Sequence, residues 1–167
     1  CPSSPDNVKK IKDLLSVPVS QVIVGSCTNS SYADLLMVTQ ILKGKKISEK
    51  VSLGIAPGSK QVIKMLSDSG ALSELLSSGA RILESGCGPC IGQGFSPADD
   101  SVSLRTFNRN FSGRSGTKKD AVYIVSPAVA AASALTGFIT DPRTIGIKFP
   151  EIKIPAKFAI DDSMIIP

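Results

Sequence analysis

The chain has 167 residues, 42% hydrophobic and 20% charged, a composition and length of one globular domain rather than of a disordered segment. It contains no histidine, which excludes a Ser-His-Asp triad, a Cys-His dyad, a HExxH zinc site and a histidine proton shuttle within this chain. Its four cysteines are too sparse for a disulfide scaffold and fit a reducing, cytoplasmic setting, and its net charge of +5 is scattered in lysine pairs without interleaved aromatics, a solvated surface rather than a nucleic-acid stripe.

Residues 1–18 carry Pro2, Pro5 and Pro18 and a short helical pattern of Val8, Ile11, Leu14 and Leu15, which predicts a connector with one helix. The apolar, β-branched run at 21–25 predicts a buried strand, followed by the turn Ser26-Cys27-Thr28-Asn29-Ser30. Asn29 or Ser30 is the expected cap of a helix that carries Leu35, Leu36, Val38, Ile41 and Leu42 and ends near Gly44. The unit recurs as a strand at 51–56, the turn Pro57-Gly58-Ser59 and a helix through Val62, Ile63, Met65 and Leu66. Gly70 separates that helix from a second over 71–76, and Gly79 precedes a strand at 80–84. A glycine-rich loop at 86–94 leads to a strand at 103–107 and a polar loop at 108–117. The last unit is a strand at 121–125, the turn Ser126-Pro127 and a small-residue helix over 128–137, for which Pro127 is a start signal.

Alternating strands and helices, with strands apolar enough for burial on both faces, predict an α/β fold with a mainly parallel sheet and helices on both faces. Ligands in such sheets sit at the carboxyl ends of the strands, where the loops carrying Cys27, Cys87 and Asn108 to Arg114 all fall. The domain is expected over 19–141. Residues 142–167 carry four prolines and the near-alternating Ile147, Phe149, Ile152, Ile154, Phe158 and Ile160, an extended arm or linker. No window approaches about 18 consecutive apolar residues, and the start lacks the basic-then-apolar order of a secretory signal, so no membrane association is expected. The chain opens on Cys1 rather than Met and closes on Met164-Ile165-Ile166-Pro167, and reads as a segment of a longer polypeptide.

Cys87-Gly88-Pro89-Cys90 is the sharpest local signal. Two sulfurs at this spacing suit a redox disulfide, a zinc ion or an iron-sulfur cluster. The glycines on both sides leave no good helix to lower a thiol pKa, which weakens the redox use. A zinc site would need all four cysteines, and Cys1 in the connector is a poor fourth ligand beside Cys27 on its strand-turn-helix element. Three thiolates fit a cubane cluster with one iron left open. The segment Asn108-Arg109-Asn110-Phe111-Ser112-Gly113-Arg114 presents two guanidinium forks and two amides, donors suited to carboxylates. Gly113 lets the loop turn Arg114 back toward Arg109. Arg105 and Lys118-Lys119 close by keep a solvated basic loop as the competing reading.

Gly25-Ser26-Cys27-Thr28-Asn29-Ser30, Pro57-Gly58-Ser59, Gly86-Cys87-Gly88-Pro89-Cys90-Ile91-Gly92, Asn108-Arg109-Asn110-Phe111-Ser112-Gly113-Arg114 and Ser126-Pro127 together resemble the third domain of the aconitase superfamily, in the family's order over residues 20–140. The resemblance implies a three-layer αβα fold. It also implies a 4Fe-4S cluster with one open iron held by Cys27, Cys87 and Cys90, and substrate contacts from Asn108, Arg109 and Arg114. The implied reaction is reversible dehydration of a hydroxy acid, a di- or tricarboxylate, with the open iron as Lewis acid. In the family a serine of a swivelling C-terminal domain is the base and histidine-carboxylate pairs come from earlier domains; nothing in this chain matches them. The remaining domains are therefore implied partners, residues 142–167 lead toward the swivelling domain, and no catalytic residue is expected here. The motif Cys-Gly-Pro-Cys-Ile-Gly favours aconitate hydratase, acting on citrate and isocitrate, over isopropylmalate or homoaconitate isomerases. An RNA-binding apo protein and a thiol-disulfide module are the alternatives of another class.

Overall fold

Strand β1 (Gln21–Gly25) is buried at every position, as a strand with packing on both sides must be. It lies at the centre of a five-stranded sheet of order β3-β2-β1-β4-β5, all parallel, in which the other strands are β2 (Ser52–Ala56), β3 (Arg81–Ile82), β4 (Val102–Arg105) and β5 (Ala121–Ile124). The structure, a computed structural model, describes residues 1–167 apart from Ser3, Pro5, Phe149, Ala159, Asp161, Met164, Ile166 and Pro167. The alternation expected at Phe149 and the apolar end at Met164, Ile166 and Pro167 thus lie outside the described residues.

Side-chain parity divides the core. Val22, Val24, Leu53, Ile55 and Leu104 face the larger cluster, with helices α1 (Tyr32–Leu42), α3 (Ala71–Ser78) and α4 (Pro127–Thr136). Helix α2 (Lys60–Asp68) packs on α3 and α1 in the same layer. Ile23 points the other way, onto Leu83, Cys90, Phe95 and Phe107. That third layer is made of the segments after β3 and β4 and holds a 3-10 turn, Gly88–Ile91. Each fully buried Val, Ile or Leu contributes about 1.5–3 kcal/mol relative to exposure, and their split across the sheet fixes the register on both faces. No described helix is long and apolar enough to cross a membrane.

Besides one- or two-residue shifts at element ends, local structure departs from expectation in the following ways. The α1 cap is Ser31, whose side chain accepts from the Asp34 N–H while the Asp34 carboxylate accepts from the Ser31 N–H, a reciprocal pair that outcompetes a lone cap at Asn29 or Ser30. The connector helix is a single 3-10 turn, Ile11–Asp13, with no buried residue. β3 keeps only two residues, because it pairs with β2 alone and the chain leaves toward the glycine-rich loop. β4 begins one residue earlier and ends at Arg105, as Thr106 turns its hydroxyl toward β1.

Candidate functional site

At the carboxyl edge of the sheet the loops after β1, β2, β3 and β4 are tied to one another by their own polar atoms. Gly25 adopts φ +115°, and a Cβ there would lie 2.0 Å from the Ala56 carbonyl oxygen, so only glycine permits the chain to leave β1 so close to β2. Ser26 and Asn29 follow with φ of 66° and 55°. Left-handed non-glycine residues cost on the order of 1–3 kcal/mol each, and hydrogen bonds offset the strain. The Ser26 N–H donates to the Ala56 carbonyl at 2.8 Å, the Ser26 hydroxyl to the Gly86 carbonyl at 3.1 Å and Asn29 Nδ2 to the Thr106 carbonyl at 2.8 Å. The Gly25 N–H donates to Thr106 Oγ1 at 3.0 Å, and the Gly58 N–H to the Ser30 carbonyl at 3.2 Å. Cys27, one residue after Ser26, is thereby held beside the loop in which Cys87 follows Gly86. Both cysteines are exposed and free.

The second thiol of the Cys-x-x-Cys is different. Pro89 sits in the first turn of the 3-10 element Gly88–Ile91, which Gly92 ends at φ +82°, and Cys90 is buried at 4% exposure while Cys87 stays outside. Arg114 reaches the turn from the polar loop, its Nη2 donating to Cys90 Sγ at 3.3 Å. The two loops touch so closely at Gly92 that a Cβ there would lie 2.1 Å from the Ser115 carbonyl oxygen. Gly113, at φ +81°, provides the turn that precedes Arg114. Asn108 and Arg109 stand exposed on the same loop, their side chains without a hydrogen bond or ion pair to the described residues. Asn110 anchors the loop, its Nδ2 donating to the carbonyls of Cys1 at 2.6 Å and Val122 at 3.1 Å. Cys1 therefore sits by the β5 edge, lining an apolar cavity of about 370 Å³ with Val8, Tyr123, Ile124 and Val129 and none of the other cysteines.

Arg105, which the sequence grouped with the basic residues near that loop, is itself not solvated. It is 1% exposed, on the strand face it shares with Ser103. Its Nε donates to Ser103 Oγ at 3.1 Å, Nη1 to the Pro89 carbonyl at 3.0 Å and Nη2 to Gln21 Oε1 at 3.2 Å. Burial pushes its guanidinium down to about 10, opposed by Asp120, and it remains a cation at neutral pH. Burial conversely raises the Asp120 carboxyl, with Arg105 opposing. The available signal was period-two parity, which puts Gln21, Ser103 and Arg105 on one face of neighbouring strands.

Among the described residues no three His, Cys, Asp or Glu side chains are gathered closely enough to hold a metal ion. A cluster several ångströms across spaces its thiolates more widely than a single ion does, and the donor set suits it: thiols alone, on loops hydrogen-bonded to each other. The buried Nε–H of Arg114 lacks an acceptor, an unmatched donor beside Cys90 that a sulfide, thiolate or carboxylate would satisfy. The residues present thus fit the group that the resemblance implies.

The aconitase family (aconitate hydratase) matches residues 4–137 of this chain. Similar curated proteins include 3-isopropylmalate dehydratase large subunit 2 of Archaeoglobus fulgidus, 42% identical over 144 residues that cover 85% of this chain and 34% of the relative. The 3-isopropylmalate dehydratase large subunits of Elusimicrobium minutum and a Sulfurihydrogenibium species are each 42% identical, over 87% and 92% of this chain and 35% and 36% of their own lengths. The chain spans about a third of the length of these relatives.

Proposed function

This chain belongs to the aconitase family, and on that premise we propose that it is the cluster- and substrate-binding α/β domain of a hydro-lyase of the 3-isopropylmalate dehydratase type. The observation that carries the reading is the Arg114 guanidinium on Cys90 Sγ at 3.3 Å, a carboxylate donor beside a thiol of the Cys-x-x-Cys. Cys27, Cys87 and Cys90 would hold a 4Fe-4S cluster, and Cys1 is dispensable. When bound, that cluster supplies a Lewis acid at its open iron, which makes hydroxide a better leaving group.

The chain's own residues bind and orient. Arg114 and Arg109 offer planar forks to substrate carboxylates, and Asn108 adds an amide, with charge-assisted bonds contributing about 1.5–3 kcal/mol each. The tie between Ser26 and Gly86 and the contact of Gly92 with Ser115 keep the thiols and arginines in one frame. Without histidine and without the resembled base, the chain alone moves no proton at the substrate carbon. The base and acid come from the rest of the parent polypeptide or a partner.

The preference for aconitate hydratase drawn from Cys-Gly-Pro-Cys-Ile-Gly gives way to the 3-isopropylmalate reading, which the names of the relatives support. That hexamer surrounds the thiols, whereas a choice between hydroxy acids depends on the part of the substrate beyond its carboxylates. Turnover by the full-length parent tests the reading: 3-isopropylmalate should be dehydrated with a kcat/KM well above that for citrate. The reverse order would restore aconitate hydratase.

A further inference from the structure

Arg105 is first among the large fully buried side chains of this domain, and its hydrogen bonds go to Ser103, Gln21 and the Pro89 carbonyl rather than to a thiol. A buried guanidinium is costly to desolvate, and an apolar residue of similar volume would often serve stability as well. Its three donors instead run in three directions. Two fix it to the sheet, at Ser103 Oγ and Gln21 Oε1, and Ser103 Oγ itself donates to Gln21 Oε1 at 2.7 Å, so the fork is held on both arms. The third leaves the sheet and takes the Pro89 carbonyl, the peptide unit that joins Pro89 to Cys90. The same oxygen accepts the Gly92 N–H at 3.2 Å, which closes the turn.

We infer that Arg105 is the positioning residue of the Cys87-to-Cys90 turn: by drawing the Pro89 carbonyl onto the sheet it turns Cys90 inward while Cys87 stays outside. The asymmetry of the two thiols follows from this grip, since residues one peptide apart share the orientation of the plane between them. Arg114 holds the same turn from the side through Cys90 Sγ. The like charges of the two arginines are moderated by Asp120. Lysine cannot replace Arg105, because one ammonium does not span three acceptors in a plane. Only the extension of this role to cluster retention rests on the function proposed above.

The test is differential alkylation of the reduced, metal-free chain with iodoacetamide, read by peptide mass spectrometry, for the wild type, Arg105→Lys, Arg105→Met and Ser103→Ala. In the wild type Cys27 and Cys87 should react quickly and Cys90 slowly. Both Arg105 variants should accelerate Cys90 by about tenfold to a hundredfold, the population shift expected on losing a charged hydrogen bond, with Cys27 and Cys87 unchanged. Ser103→Ala, which loosens the guanidinium without removing it, should accelerate Cys90 by a smaller factor at intact amide protection. A folded Arg105→Met chain with Cys90 at the wild-type rate overturns the inference. If Arg105→Met does not fold, an unchanged Cys90 rate in Ser103→Ala overturns it instead. Iron release to a chelator from the reconstituted chain gives the second arm, and Arg105→Lys should release iron faster. A wild type that loads no iron overturns the cluster reading and leaves the alkylation rates to decide on Arg105.

Discussion

Substituting Gly92 by alanine should separate the cysteine turn from the arginine loop. The new Cβ would lie 2.1 Å from the Ser115 carbonyl oxygen, against about 3.4 Å for ordinary contact, so the loops must part by roughly 1.3 Å. The obstacle is backbone, and Ser115 is further pinned by the Ser96 hydroxyl donating to its carbonyl at 3.0 Å. Left-handed φ costs alanine about 1–2 kcal/mol and forced overpacking about 1–3 kcal/mol more, a sum of about 2–5 kcal/mol. Gly94 is the internal control: its φ is +76°, yet nothing lies within 4 Å of a Cβ built there. Gly94→Ala should therefore lose only the backbone term, and the smaller entropy of the unfolded chain, worth about 0.4–1 kcal/mol, cancels between the two. At about 2–4 °C per kcal/mol for a domain of this size, the melting temperatures of the two variants should differ by several degrees, with urea unfolding as the direct measure. Equal destabilisation of Gly92→Ala and Gly94→Ala would refute the close approach of the loops.

In the full-length parent, Arg109→Lys and Arg114→Lys should each lower kcat/KM by about tenfold to a hundredfold at unchanged iron content. Lys118→Ala and Lys119→Ala, which remove charge from the same neighbourhood, should do little, and the reverse ranking would return the loop to a solvated surface. Asp120 makes a prediction in pH. Burial raises its native pKa above the ordinary 3.8, so the native state holds a proton that the unfolded chain has lost, and the associated stability is present below 3.8 and lost as pH rises through the native value. Urea unfolding across a pH series should show the wild type losing stability relative to Asp120→Asn over a window that opens near 3.8, and a difference that is flat or slopes the other way would contradict the burial.

The sequence of strands along the chain was readable because each is a short segment set between turn or glycine signals and helical patterns, and the parallel sheet follows from the helices between them. The loops that meet at the sheet edge were also readable, since Cys27, Cys87 and Arg114 each follow a strand. What escaped the sequence depends on distant partners. The inward turn of Cys90 is set by Arg105, which lies 15 positions later in the chain and reads locally as one more basic residue of a basic stretch. The Ser31 cap was hidden because Asn29 and Ser30 are equally good cap residues until Asn29 is committed to the Thr106 carbonyl. The third strand looked longer than it is: the Leu83 N–H still donates to the Ile55 carbonyl of β2 at 2.7 Å, but from there the chain leaves for the glycine-rich loop, which hydropathy does not reveal.

Iron and acid-labile sulfide analysis after anaerobic reconstitution, on the chain and on its four Cys→Ser variants, tests the central claim most directly. The wild type and Cys1→Ser should hold about four iron and four sulfide per chain, and Cys27→Ser, Cys87→Ser and Cys90→Ser should each lose them. Loss of iron in Cys1→Ser, or full iron retained in any of the other three, would contradict the assignment.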